Sequence, residues 1–187
     1  MSKNVELKAK IENHNSVVYR LKQLDAKGPY VLDQVDSYVR LRVGRLKLRS
    51  VNGSNGEIIF YRRADRAGPK TSSYWRVPLG ILYWPLRLSL ITVGGFYVTV
   101  RKRRSLYFIG QTRVHVDEVA GLGNFLELEV VLSAEETAGY GTRIANSLMK
   151  NLGVEPHQLL SGSYSDMLEE LHSNCGRNCR LRDKNRQ

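Results

Sequence analysis

The sequence predicts an α+β fold built on an antiparallel β-sheet curled into a barrel, and three observations carry that reading. Four strand-like stretches alternate apolar with charged residues: Val5 to Lys10, Arg45 to Arg49, Val100 to Arg104 and Phe125 to Val130. Strong turn residues separate successive strand-like runs, as in a meander. Amphipathic helical runs flank the strands. In a strand, side chains alternate between faces, so Glu6, Lys8 and Lys10 share one face while Val5, Leu7 and Ala9 share the other. Any single strand with one wet face would show this pattern. Four such strands, two basic-rich and one purely acidic, require more. A closed barrel would gather their ionic faces into one interior, which would suit a polyphosphate with divalent cations.

The elements follow in order. The first strand runs from about Asn4 to Ile11. Residues 13–16 offer helix caps ahead of Val17, Val18, Leu21 and Leu24, whose spacing predicts a helix ending near Gly28. Residues 33–39 and 45–51 read as two strands joined near Gly44, and Asn52-Gly53 with Asn55-Gly56 turns the chain into a strand over 57–63. Residues 64–73 read as a polar loop containing Gly68-Pro69. From Tyr74 to Phe96 the apolar residues follow no period and several breakers intervene, so no element is assigned. Strands are expected over 97–103, 105–109, 112–119 and 125–132, with turns at Gly110-Gln111 and at Gly121-Leu-Gly123. Ser133 with Glu136 makes a capping box for a helix that carries Ile144, Leu148 and Met149 and stops near Gly153. A short helix follows Ser163, bearing Met167, Leu168 and Leu171.

With 187 residues the chain fits one domain large enough for a real core. The formal net charge is +11, which points to anionic partners. Part of that excess sits in the basic tail, 174–187, whose last dozen or so residues have almost nothing apolar to bury and are expected to be unstructured. Cys175 and Cys179 both fall at the start of that tail, so the domain body, 1–173, has no disulfide framework. That suits a reducing, cytoplasmic setting. A lone Cys-x3-Cys near His172 is too sparse for a structural zinc. Charged residues appear from Lys3 onward, so a secretory signal is not expected. The apolar segment from Val77 to Val100 is broken by Arg87, Gly94-Gly95 and two prolines, and falls short of a membrane span.

Several motifs, in sequence order, resemble the CYTH family, the triphosphate tunnel metalloenzymes, which include class IV adenylyl cyclases and thiamine triphosphatases. Asn4-Val-Glu-Leu-Lys-Ala-Lys10 is similar to the family's opening Glu-x-Glu-x-Lys-x-basic motif. Gln34-Val-Asp-Ser-Tyr38 and Gly44-Arg-Leu-Lys-Leu-Arg49 resemble strands of the cyclase-like branch. Glu57 to Asp65, Lys102-Arg-Arg104, Asp117 to Glu129 and Ser161-Gly-Ser-Tyr164 follow in register. The resemblance implies a closed eight-stranded antiparallel barrel whose tunnel binds a small triphosphorylated substrate together with Mg²⁺ or Mn²⁺. It further implies Lys8, Lys10, Arg49, Arg63, Lys102 and Arg104 as the phosphate clamp, with Lys8, Arg49, Lys102 and Arg104 in catalytic roles. Glu6, Asp117, Glu127 and Glu129 are implied as the metal-holding group. Asn4 departs from the family pattern, since it stands where a first glutamate is common and offers an uncharged oxygen.

Periodicity supports part of this independently. Lys102 shares a face with Arg104, Glu127 with Glu129, and Arg113 with His115 and Asp117, while Arg101 and Arg103 would point away from the interior. His115 is read as either an interior hydrogen-bond partner or a structural residue, and Tyr164 as either packing or ligand contact. The expected activity is metal-dependent hydrolysis of tripolyphosphate, thiamine triphosphate or a nucleoside triphosphate. The alternatives are cyclisation of ATP and non-catalytic binding of polyphosphate or RNA. No membrane partner and no nucleic-acid substrate are expected, and the chain is expected to act as a monomer or homodimer.

Overall fold

The computed structural model describes the backbone of residues 2–54 and 56–184 and the side chains of 3–54 and 56–174. Eight strands close into an antiparallel barrel: β1 (Ser2–Lys10), β2 (Lys27–Val39), β3 (Arg45–Val51), β4 (Glu57–Arg63), β5 (Lys70–Pro78), β6 (Phe96–Ile109), β7 (Thr112–Val119) and β8 (Gly123–Val131). Their order around the barrel is β1-β5-β4-β3-β2-β6-β7-β8. The first strand therefore closes the ring between β5 and β8.

Four α-helices flank it: α1 (His14–Gln23), α2 (Tyr83–Thr92), α3 (Ala138–Asn151) and α4 (Tyr164–Lys184). The main core lies between the outer faces of β1, β7 and β8 and the helices α1 and α3. Leu7, Ala9, Val114, Val116, Leu126 and Leu128 pack there on Val17, Leu21, Leu148 and Leu152. These outward residues alternate with the charged ones that face inward, so one periodicity builds both the core and the tunnel.

At one end, the inward positions turn apolar. Val98, Val100, Val119 and Phe125 bury Tyr164 and Leu168 of α4, and fill that end of the barrel. None of the described helices is long and apolar enough to cross a membrane.

Several element assignments change. The segment over 64–73 is not all loop, since β5 begins at Lys70, whose ammonium bonds the carbonyl oxygens of Arg66 and Ser161 at 3.0 and 2.8 Å. The two strands expected over 97–103 and 105–109 are one continuous β6. Helix α1 stops at Gln23, ahead of Asp25 at φ 50°, and β2 has begun before Gly28. Thr137 caps α3 by accepting from the Tyr140 N–H at 3.2 Å. The Ser133 and Glu136 pair instead closes the turn ahead of it, through a Ser133 N–H to Glu136 bond of 2.8 Å.

The unassigned stretch folds as the end of β5, a 3₁₀ turn and α2, which buries Tyr83 against Gly56. Helix α4 carries the backbone from Tyr164 through Lys184. Residues 185–187, and the side chains of Cys175 and Cys179, lie outside the described residues.

Candidate active site in the tunnel

Eight basic side chains line the barrel interior: Lys8, Lys47, Arg49, Arg63, Arg76, Lys102, Arg104 and Arg113. Glu6, Glu127 and Glu129 face them, with Asn4, Tyr38, Tyr61 and Tyr164. The open space measures about 110 Å³, room for several waters or a short chain of phosphate groups.

Two buried carboxylates hold four of these cations in place. On one wall, Asp36 of β2 is 1% exposed. It accepts from Arg49 Nε and Nη2 at 2.8 and 3.0 Å, from Lys47 Nζ at 2.9 Å and from Gln34 Nε2 at 3.0 Å. Sheet register explains the arrangement, because Asp36 stands opposite Arg49 and Tyr38 opposite Lys47.

On the other wall, Asp117 of β7 is fully buried. It takes the Arg104 fork at 2.6 and 2.7 Å, Lys102 Nζ at 3.1 Å and the Tyr164 hydroxyl at 3.0 Å. A charge-assisted bidentate pair of this kind fixes the guanidinium plane. Burial alone would raise both carboxyls, but Arg49 and Lys47 hold Asp36, and Arg104 and Lys102 hold Asp117, well below the usual carboxylate range.

The lysines titrate in the opposite sense. Burial and the neighbouring Arg49 push Lys47 down to about 7, and burial with Arg104 pushes Lys102 to about 8. Burial also lowers Lys8, against the pull of Glu127. Tyr164 ties these groups together: Lys8 Nζ sits 3.4 Å from its ring centroid and Lys102 Nζ 5.0 Å.

The remaining acids are less fully occupied. Glu127 accepts Arg104 Nη2 on Oε2 at 2.7 Å and pairs Lys8 at 3.4 Å through Oε1. Glu129 meets Arg113 at 3.4 Å through Oε2. Glu6 is paired to Arg63. His115, Glu127 and Glu129 bring ligand atoms within 4.8 Å of one another. His115 Nδ1 is buried and has no hydrogen-bond partner. A cluster of carboxylate oxygens beside an unsatisfied imidazole nitrogen has the donor chemistry of a divalent-cation site.

The residues implied by resemblance are thus sorted. Lys8, Arg49, Arg63, Lys102 and Arg104 line the tunnel with Glu6, Glu127 and Glu129. Lys10 does not: it is exposed at the end of β1, opposite Phe125, where the chain leaves the barrel beyond the apolar plug. Asp117 lies behind the cations it orients, and neither it nor Glu6 belongs to the close ligand group. Arg101 and Arg103 face outward. Sequence reasoning missed Asp36, Lys47, Tyr38, Tyr61 and Arg76. The signal for three of them was available, since Asp36 and Tyr38 share a face of β2, and Lys47 shares one with Arg45 and Arg49.

Fold and site together define a closed antiparallel barrel whose interior is lined by basic and acidic side chains. The chain belongs to the CYTH family: the CYTH domain matches residues 2–164. Adenylate cyclase CyaB of Aeromonas hydrophila is 32% identical over 73 residues, 39% of this chain and 38% of that protein. Among solved structures, the PH1012 protein of Pyrococcus horikoshii OT3 superposes with a TM-score of 0.72 at 20% identity, covering 87% of this chain and 98% of the other. The Hippeastrum protein HpAC1, described as a putative adenylyl cyclase with a dominant triphosphatase activity, superposes with a TM-score of 0.58 at 12% identity over 92% and 96% of the two chains. Likeness at such identities speaks for the fold.

Proposed function

We propose that this protein is a metal-dependent hydrolase of a small triphosphate, such as tripolyphosphate, thiamine triphosphate or a nucleoside triphosphate. One observation carries the reading: two adjoining stretches of the barrel wall, β2–β3 and β6–β7, turn cations into the tunnel, each set locked by a buried carboxylate before any ligand arrives. Donors fixed in advance where charge accumulates need no reorganisation during the reaction, and this is the largest contribution proteins make to phosphoryl transfer.

Arg49 and Arg104, their Nε and Nη2 groups held by Asp36 and Asp117, offer their remaining Nη1 donors to phosphate oxygens, with Lys8, Lys47 and Lys102 as point charges beside them. Tyr38, Tyr61 and Tyr164 line the channel as neutral phenols, since burial raises each of them above its ordinary range. Glu127 and Glu129 are the residues that would hold Mg²⁺ or Mn²⁺. Bound there, the ion would polarise phosphate oxygens and lower the pKa of a coordinated water. The apolar plug of Val98, Val100, Phe125 and Leu168 excludes bulk water from one end.

The cyclase reading is the alternative, favoured by the similarity to the Aeromonas protein over 73 residues. The same clamp serves either outcome, because the attacking group, water or a ribose hydroxyl, decides the product. Incubation with tripolyphosphate, thiamine triphosphate and ATP, each with Mg²⁺ or Mn²⁺, separates them by product. Released phosphate or pyrophosphate without cyclic nucleotide supports the hydrolase. Cyclic AMP from ATP supports the cyclase, and no turnover of any of the three refutes both.

A further inference from the structure

His115 stands beside the tunnel acids Glu127 and Glu129, and the phosphate clamp leaves it unused. It stands on β7 between Arg113 and Asp117 and is 4% exposed. Its Nδ1 is buried with no hydrogen-bond partner. That atom faces Glu127 Oε2 at 3.7 Å and Glu129 Oε1 at 3.8 Å, both too long for a hydrogen bond. Two donors bound to one ion at about 2.0–2.2 Å stand roughly 3–4 Å apart, so these separations suit a shared ion. The carboxylates can accept it. Arg113 engages the other oxygen of Glu129, and Glu127 Oε2 has a second lone pair beyond the one that Arg104 occupies.

We propose that His115, Glu127 and Glu129 form a one-nitrogen, two-carboxylate site selective for a first-row divalent transition ion over Mg²⁺. Carboxylate and water ligands alone suit hard ions, whereas an imidazole donor favours the later first-row metals. Replacing one oxygen donor by nitrogen therefore moves the preference along that series. The inference deepens the metal-dependent reading of the tunnel and rests on it for biological purpose, but the site is tested without any substrate.

The test is calorimetric titration of the full chain with Co²⁺ and, separately, with Mg²⁺, alongside the visible absorption of the Co²⁺ form. Wild type should bind Co²⁺ at least about tenfold more tightly than Mg²⁺. His115→Asn should weaken Co²⁺ by about 10- to 100-fold and shift its absorption band, while Mg²⁺ changes by less than about threefold. Should that variant fold poorly, the unaltered protein still answers: nitrogen NMR of its four histidines should show one imidazole nitrogen shifted by stoichiometric diamagnetic Zn²⁺ and untouched by Mg²⁺. Equal affinities for Co²⁺ and Mg²⁺, an unchanged Co²⁺ affinity in His115→Asn, or no perturbed imidazole overturns the proposal. His115-dependent Co²⁺ binding in a protein that hydrolyses no triphosphate would uphold the site and sink the functional reading. Hydrolysis with Co²⁺ binding indifferent to His115 would do the reverse.

Discussion

On the β2–β3 wall a single carboxylate is outnumbered: Asp36 lies under Lys47 and Arg49 and takes four hydrogen bonds on its two oxygens. On the wall formed by β6, β7, β8 and β1, Asp117 does the same for Lys102 and Arg104, but Glu127 and Glu129 stand beside it with capacity to spare. Both walls use a buried acid to aim buried bases. The difference is surplus acid, so the first wall is suited to phosphate alone and the second to phosphate and a cation together. Charge sequence along a strand does not reveal this; how many donors each acid already serves does.

Four measurements break or sharpen that contrast. Arg104→Ala strips Asp117 of its fork and Glu127 of its shortest partner, both in buried surroundings, and should destabilise the protein by about 3–5 kcal/mol in chemical denaturation. Arg49→Ala leaves Lys47 and Gln34 on Asp36 and should cost clearly less; equal losses would make the walls equivalent. Glu127→Gln should lower metal-dependent turnover by about 100-fold in a phosphate-release assay. An unchanged rate would remove Glu127 from the metal group.

Asp36→Asn lets Lys47 and Arg49 drift, and should raise KM about tenfold while kcat holds within about threefold. A fall in kcat alone would place this wall at the reacting phosphorus instead. The smallest effect is pH-linked. Lys47 in the empty tunnel gives up its proton near pH 7, whereas the unfolded chain keeps it to about 10.5. The unfolded chain binds more protons in that window, so the empty protein gains stability as pH rises across it. A phosphate chain draws the ammonium back up, so binding takes up a proton and weakens as pH rises above 7. Calorimetry in buffers of different ionisation enthalpy reads that uptake directly, and none at pH 8 would detach Lys47 from the ligand.

Much of this was legible in advance. Strands β1, β7 and β8 announced themselves because helices cover their outer faces, so apolar and charged residues alternate cleanly. Strand β5 did not. Lys70, Ser72, Tyr74 and Arg76 share one of its faces and Thr71, Ser73 and Trp75 the other, and with Thr71 and Trp75 open to solvent neither face is consistently apolar. Helix α2 was hidden for the opposite reason: it is apolar all round, with Leu88 and Ile91 largely exposed, so no stripe marks a buried side. The break expected at Arg104, between strands over 97–103 and 105–109, does not occur, and β6 runs straight through it. At the site, residue types gave the acids and bases, but not which acid is consumed by pairing, since Asp117 and Glu127 differ in neighbours brought from β6, β1 and α4.

Ring order carries a consequence for assembly. The opening strand finds its partners at residues 70–78 and 123–131, so the first and last staves meet only when nearly the whole domain is in hand. Lys8 and Glu127, register partners across that seam, are strangers until then. A bound ion or phosphate chain therefore cannot seed folding from a fragment; it acts as a latch on a hoop already joined, and loss of the latch should be felt first as fraying along the β1–β8 seam.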